Sequence, residues 1–308
     1  MRFPKLSLAP MAGYSDAAFR EICRRWGAEM TYSEMISSRA VLMRTTKIPK
    51  DRCVIQLFGS DPAELAEAAE KVSDRAVWLN LNAGCPVKKV VKRGAGAALL
   101  KDLPRLRTIV TEIKKRVQKP LSVKTRLGWE KDDSERIVSL LAEEGVDLVE
   151  IHARTAIQLY NGKARRDAFE RLKNHFDIPI FASGDVFTPE DIDELLNHRG
   201  VEGVLVARGA VGSPWIFKAA RLRFEGERYY SPTIRDRCKT VLTHLKMLSK
   251  DKGERKAIVE FRKFITPYTK GLRGAKEFRR YAMTLKDYSM FYRAIEEFFS
   301  TSFQDQLC

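Results

Sequence analysis

Apolar residues along the first three quarters of the chain come in short runs that alternate with amphipathic stretches. Runs at 6–10, 30–33, 54–57, 78–82, 121–125, 148–152, 180–183 and 203–207 have the length and residue types of strands. The intervening spacing predicts helices at 17–26, from 62 to about 72, and at 103–117, 134–144 and 189–197. Asp16, Asp61, Asp102, Asp133 and Thr188 stand at their caps, with Pro62 and Pro189 in first helical turns. Eight strands, each followed by a helix, in about 225 residues fit a parallel (β/α)8 TIM barrel. A doubly wound sheet is the alternative. Its one phosphate-loop candidate, Gly94-Ala95-Gly96, does not lie directly between a strand and its helix.

Past the Gly/Ser/Pro-containing segment 224–232 no further strand is predicted. Helical spacing appears at 234–250, 255–265 and 281–299. The expected organisation is an α/β barrel over residues 1–228 followed by a smaller all-α domain over 232–308.

Composition narrows the partners. Of the 308 residues 44% are hydrophobic and 31% charged, and no apolar run reaches spanning length, so no membrane role is expected. The N-terminus lacks the apolar stretch of a secretion signal. Five scattered cysteines and four histidines show neither disulfide pairing nor metal-ligand spacing. A cytoplasmic, metal-free and monomeric protein is expected. The net charge of +16 points to a polyanion, and residues 231–308 carry 17 Lys+Arg against 9 Asp+Glu. Within 261–280 seven basic residues face one acidic residue, with Tyr268, Phe278 and Tyr281 interleaved, a pattern suited to nucleic acid. A solvated helix face is the plainer alternative.

A barrel places its chemistry at the C-terminal strand ends. Those ends carry Pro10-Met11-Ala12-Gly13, Gln56, Asn82 with Cys85, Lys124-Thr125-Arg126, His152-Ala153-Arg154, Ser183-Gly184-Asp185 and Ala207-Arg208-Gly209. Gly84 and Pro86 present the Cys85 thiol at a turn, beside Lys88, Lys89, Lys92 and Arg93, whose charge favours thiolate and attracts phosphate. Each feature has an ordinary structural reading as well: a buried cysteine, a core histidine, a paired lysine. The small residues of the last two strand ends suit backbone contacts to a phosphate.

These segments, with Gln56-Leu57-Phe58-Gly59-Ser60, Asn82-Ala83-Gly84-Cys85-Pro86 and Tyr268-Thr269-Lys270-Gly271-Leu272, resemble in order the motif series of tRNA-dihydrouridine synthases. The resemblance implies an FMN enzyme, re-reduced by NADPH or NADH, that reduces uridine to 5,6-dihydrouridine in tRNA. It implies that Pro10, Met11 and Ala12 line the flavin, that Gln56 and Lys124 bond the ring edge, that Asn82 orients the flavin or the uracil, and that His152 packs by the flavin or its phosphate arm. Ser183, Gly184, Asp185, Ala207 and Arg208 would hold the ribityl phosphate. Cys85 would be the proton donor. RNA contacts are expected from Lys88, Lys89, Lys92, Arg93, Arg126, Arg154, Lys270, Arg273 and Arg279. Ser183-Gly184, Ala207-Arg208 and Arg165-Arg166 depart from the family's usual pairs. The alternatives are an FMN barrel acting on a free pyrimidine or other small enone, and a non-catalytic RNA-binding barrel.

Overall fold

The computed structural model of the chain describes residues 3–226 and 230–304. Cys308, the expected boundary at 228 and part of the expected linker lie outside them. Nine parallel strands form one sheet: β1 (Leu6–Leu8), β2 (Met30–Thr31), β3 (Ile36–Ser37), β4 (Cys53–Phe58), β5 (Ala76–Asn82), β6 (Leu121–Arg126), β7 (Leu148–His152), β8 (Ile180–Ser183) and β9 (Gly203–Val206). Their order is β2-β1-β9-β8-β7-β6-β5-β4-β3. A parallel bridge between Tyr32 and Val54, with Ser33 N–H on Val54 O at 2.8 Å, joins the end of β2 to β4 and closes the ring. The eight predicted strands are all present. The short β3 is additional, because two residues are too few to carry a periodicity.

Backbone contacts divide the chain into two compact units, one of residues 1–15 and 29–207, the other of residues 16–28 and 208–308. Residues 16–28 and 208–226, expected with the barrel, thus group with the C-terminal helices.

In the first unit the strands are buried on both faces, as in parallel sheets covered by helices. Helices Pro62–Ser73 and Leu103–Arg116 are capped by Asp61 and Asp102, whose carboxylates accept the N–H of Glu64 and Arg105 at 2.8 and 3.1 Å. An apolar plug of Val54, Trp78, Leu148, Phe181 and Leu205 fills part of the interior. Polar side chains of β4 to β7 stand in the same interior, because alternate residues of a strand share a face: Gln56, Asn80, Asn82, Ser122 and Glu150 are all buried.

The second unit holds helices Ala17–Arg25, Ile216–Phe224, Ile234–Lys252, Glu254–Tyr268, Ala275–Ala282 and Tyr288–Gln304. Its core is aromatic: His244 packs at 4.5 Å from Phe264 and 5.5 Å from Phe19, and its Nδ1 is 3.1 Å from the Tyr268 hydroxyl. Burial pushes this imidazole down to about 3, so it is a neutral core residue. The predicted helix at 281–299 is two helices, since a turn at 283–287 intervenes, with Thr284 N–H on Tyr281 O and Leu285 N–H on Ala282 O. No helix among the described residues is long and apolar enough to cross a membrane.

Candidate active site

The Cys85 loop is fastened from three sides. Asn82, the last residue of β5, accepts the N–H of Gly84 at 3.2 Å and of Cys85 at 2.9 Å on its Oδ1. Ala83 N–H bonds Lys124 O of β6 at 2.8 Å, and the 3₁₀ turn Gly96–Lys101 offers Ala97 N–H to Cys85 O at 2.9 Å. Gly96 has φ +61° and a Cβ there would lie 2.7 Å from Cys85 O, so only glycine closes this corner. Arg126 reaches back from β6, its Nε on Gly84 O at 3.0 Å and its Nη1 on Thr155 O and Leu159 O, both at 2.8 Å.

This setting decides the thiol's chemistry. Burial raises the pKa of Cys85, and the opposing Val87 N–H, Arg126 and Lys124 do not overcome it. The group is therefore a protonated acid at neutral pH rather than a thiolate. Lys88, Lys89, Lys92 and Arg93, the cations adjacent in sequence, are exposed; the charges acting on the thiol come from β6.

Gln56, Asn82 and Lys124 are brought together by register, Gln56 pairing with Asn80 across β4–β5 and Asn82 with Lys124 across β5–β6. Asn82 Nδ2 donates to Gln56 Oε1 at 2.9 Å. Lys124 is lowered to about 8, by burial first, then by the Arg126 charge, against the stabilising pull of Glu150. Glu150 is raised from 4.5 to about 7 by burial, against its bond from Tyr32 and the charge of Lys124.

A stability consequence follows from Glu150. The folded protein holds this proton more tightly than the unfolded chain, so the contribution is complete below pH 4.5 and is lost as pH rises to 7. Glu150→Gln removes the titration. The variant should gain about 3 kcal/mol relative to wild type between pH 4.5 and 8, measured by denaturant unfolding at both pH values. A pH-independent difference would contradict the assigned burial.

Beyond β7, Arg154 is buried and forks onto Asp185 at 2.6 and 3.0 Å, onto Gly162 O at 2.6 Å and onto Asn161 O at 3.2 Å. Its Nη1 also meets His152 Nε2 at 3.2 Å. A guanidinium only donates, so in this contact the His nitrogen accepts, which selects the tautomer. Asp185 has φ +51° and also accepts Ala164 N–H at 2.9 Å. Arg126 and Arg154, expected among the RNA contacts, are thus buried with donors on internal acceptors. Asp185, expected at the cofactor phosphate, is an anion held by Arg154. Ser183 ends β8 and Gly184 follows it, Ala207 follows the neighbouring β9, and Arg208, exposed, opens the second unit. Pro10, Met11 and Ala12 form the turn after β1, closed by Tyr14 N–H on Met11 O at 3.0 Å, with Met11 N–H on Ser15 Oγ at 2.9 Å.

Sequence reading missed Tyr32, Asn80, Ser122 and Glu150, which support the site from below; a carboxylate inside an apolar strand run was the available signal. It also mistook the aromatics of 261–280. Tyr268 and Phe278 are core residues, and only Tyr281 is exposed. Arg279 Nε bonds Thr269 Oγ1 at 2.8 Å, while Lys270, Arg273, Lys276 and Arg280 are exposed. No cluster able to hold a metal ion occurs among the described residues.

The family model described as dihydrouridine synthase (Dus) matches residues 7–304. A protein named tRNA-dihydrouridine synthase B from Pseudomonas aeruginosa is 35% identical, over 96% of this chain and 93% of its own. A probable tRNA-dihydrouridine synthase of Aquifex aeolicus is 35% identical over 96% and 97%. Among solved structures, histamine dehydrogenase from Rhizobium sp. 4-9 superposes with a TM-score of 0.54 at 13% identity, covering 79% of this chain and 49% of that one. That likeness concerns the barrel fold.

Proposed function

The chain belongs to the dihydrouridine synthase family, and on that footing we propose that it reduces the C5=C6 bond of a tRNA uridine, with FMN as cofactor and Cys85 as proton donor. The observation that carries the reading is a protonated, half-buried thiol fastened at a barrel strand end beside Lys124, Gln56 and Asn82. The donor set suits a flavin: two amides for the ring edge, a cation to offset charge on the reduced ring, and small residues after β8 and β9 for a phosphate. Gln56, Asn82 and Lys124 would hold the ring, with Pro10, Met11, Ala12 and His152 lining it; Ser183, Gly184 and Ala207 would hold the phosphate.

Bound FMN, re-reduced by NADPH or NADH, would supply the hydride to C6. The protein's own work is positional and acidic. Charge develops toward the C4 carbonyl, and Cys85 delivers its proton to C5 from a fixed place. A base stacked in folded tRNA cannot reach the site, so the uridine must be extruded into it.

The purified protein should absorb near roughly 450 nm, as flavin-bound proteins do, and should form dihydrouridine in tRNA given NADPH. A colourless protein that cannot be reconstituted with FMN would refute the cofactor. Reduction of free uracil or another small enone, but not of tRNA, would favour the small-substrate alternative.

Exposed Lys270, Lys276 and Arg280 favour tRNA over a small substrate. Replacing the three by Ala should weaken tRNA binding and flatten log K against log[salt] by roughly 0.7–0.9 for each phosphate that the protein ceases to neutralise, with flavin absorbance unchanged. An unchanged slope in the folded variant would make the segment a solvated face. RNA contacts would then rest with Lys88, Lys89, Lys92 and Arg93.

A further inference from the structure

We propose that Glu150 is a positioning residue for the Cys85 thiol, acting through a relay of three side-chain amides; the inference rests on Cys85 being the reactive group. Glu150 lies in β7 and does not touch Cys85. It is fully buried, and its Oε1 accepts the Tyr32 hydroxyl at 2.6 Å and Asn80 Nδ2 at 3.0 Å. Asn80 Nδ2 also donates to Ser122 Oγ at 2.7 Å, so both its N–H groups are used. Its Oδ1 then takes Gln56 Nε2 at 2.6 Å, and Gln56 Oε1 takes Asn82 Nδ2 at 2.9 Å. Asn82 Oδ1 is left facing the loop, where it accepts the N–H of Gly84 and Cys85.

The two ends of this chain have fixed chemistry. A carboxyl oxygen taking two donors only accepts, and a backbone N–H only donates. Three amides between them satisfy both ends in one sense alone; turning any one over sets N–H against N–H or oxygen against oxygen. Glu150 is the accept-only end. Without it the Tyr32 hydroxyl and one Asn80 N–H lose their partner where no water reaches, and Asn80 is free to turn. The disturbance travels through Gln56 to the group that fixes the Cys85 backbone. The same relay leaves the second Nε2 N–H of Gln56 for a ligand, so it positions one of the proposed flavin contacts as well.

The test compares Glu150→Leu, Asn80→Leu and Glu150→Gln in the full-length protein as purified, with folding checked by thermal melting. The readout is the rate of Cys85 alkylation by iodoacetamide, resolved by peptide mass spectrometry against Cys238, a half-buried thiol of the second unit. Both leucine variants should speed Cys85 alkylation relative to Cys238 by about fivefold, the population change expected when one net hydrogen bond is removed. Their combination should be no faster than either alone, because they cut the same relay. Glu150→Gln should stay within about twofold of wild type, since its oxygen still accepts. Wild-type alkylation in a folded leucine variant, or leucine-like alkylation in Glu150→Gln, would overturn the proposal. If Glu150→Leu does not fold, Asn80→Leu decides alone, because it leaves the Tyr32–Glu150 bond in place. Alkylation requires neither tRNA nor reductant. A failure to form dihydrouridine would therefore sink the proposed reaction without touching this result, and the reverse holds too.

Discussion

Cys85→Ala should lower dihydrouridine formation by on the order of 10²–10⁴, the range for losing a general acid. The loop should survive the change, because Asn82 Oδ1 and Ala97 N–H hold the backbone of residue 85 and not its sulfur. FMN and tRNA should still bind, and NADPH should still bleach the flavin, since that half-reaction takes no proton from the thiol. Single-turnover kinetics would separate the halves: flavin reduction at the wild-type rate, then slow reoxidation by tRNA. The raised pKa adds a second expectation. Burial keeps the acid form to higher pH than an ordinary thiol does, so the loss of the Cys85-dependent step that comes from thiol ionisation should set in at higher pH than for a free cysteine. Near-normal reoxidation by the alanine variant would pass the acid's role to water or another side chain.

Arg154→Met should cost about 3–5 kcal/mol, as breaking one partner of a buried ion pair does, with the low end favoured because Asp185 keeps some solvent. In a unit of this size that lowers the melting temperature on the order of 10 °C. The loss has identifiable parts: Asp185 loses both guanidinium bonds, and the carbonyls of Asn161 and Gly162 lose their donors. His152 is also released, because the donor that fixes its tautomer is gone. Arg154→Lys should recover little, since one ammonium cannot serve acceptors arranged around a planar fork. Calorimetry on both variants is the measurement, and a methionine variant within about 1 kcal/mol of wild type would mean the pair contributes little beyond packing.

The two unit boundaries show where sequence periodicity fails. Residues 17–26 read correctly as a helix with Asp16 at its cap, and Asp16 Oδ1 does accept Phe19 N–H at 2.9 Å. The helix nevertheless packs with the second unit, where Phe19 stacks on His244. An apolar face states that a helix is covered, and never by what. The same gap misled the reading of 261–280, in which basic and aromatic residues alternate along the sequence. Helical geometry turns Tyr268 and Phe278 inward and leaves Lys276 and Arg280 outside, and Lys270 is exposed in the turn between the two helices.

By itself the sequence determined the eight strands, the capped helices between them and the strand ends that carry Cys85, Lys124 and His152, because these depend on local periodicity and on the rule that loops follow strands. It also placed Gly84 beside the thiol, whereas the close approach of Gly96 to Cys85 O belongs to the fold. Only the tertiary structure decided the charge states and the partners. Cys85 stands among cations in the chain, yet its proton is held by burial and opposed by Arg126 and Lys124 of another strand. Arg126 and Arg154 look like exposed RNA ligands and are internal struts. Glu150 looks out of place in an apolar strand, and it is the terminus of the amide chain that ends at the thiol loop. Hydrogen bonding and desolvation depend on what crosses between strands, over separations such as the 118 residues from Tyr32 to Glu150. Local pattern contains none of that information.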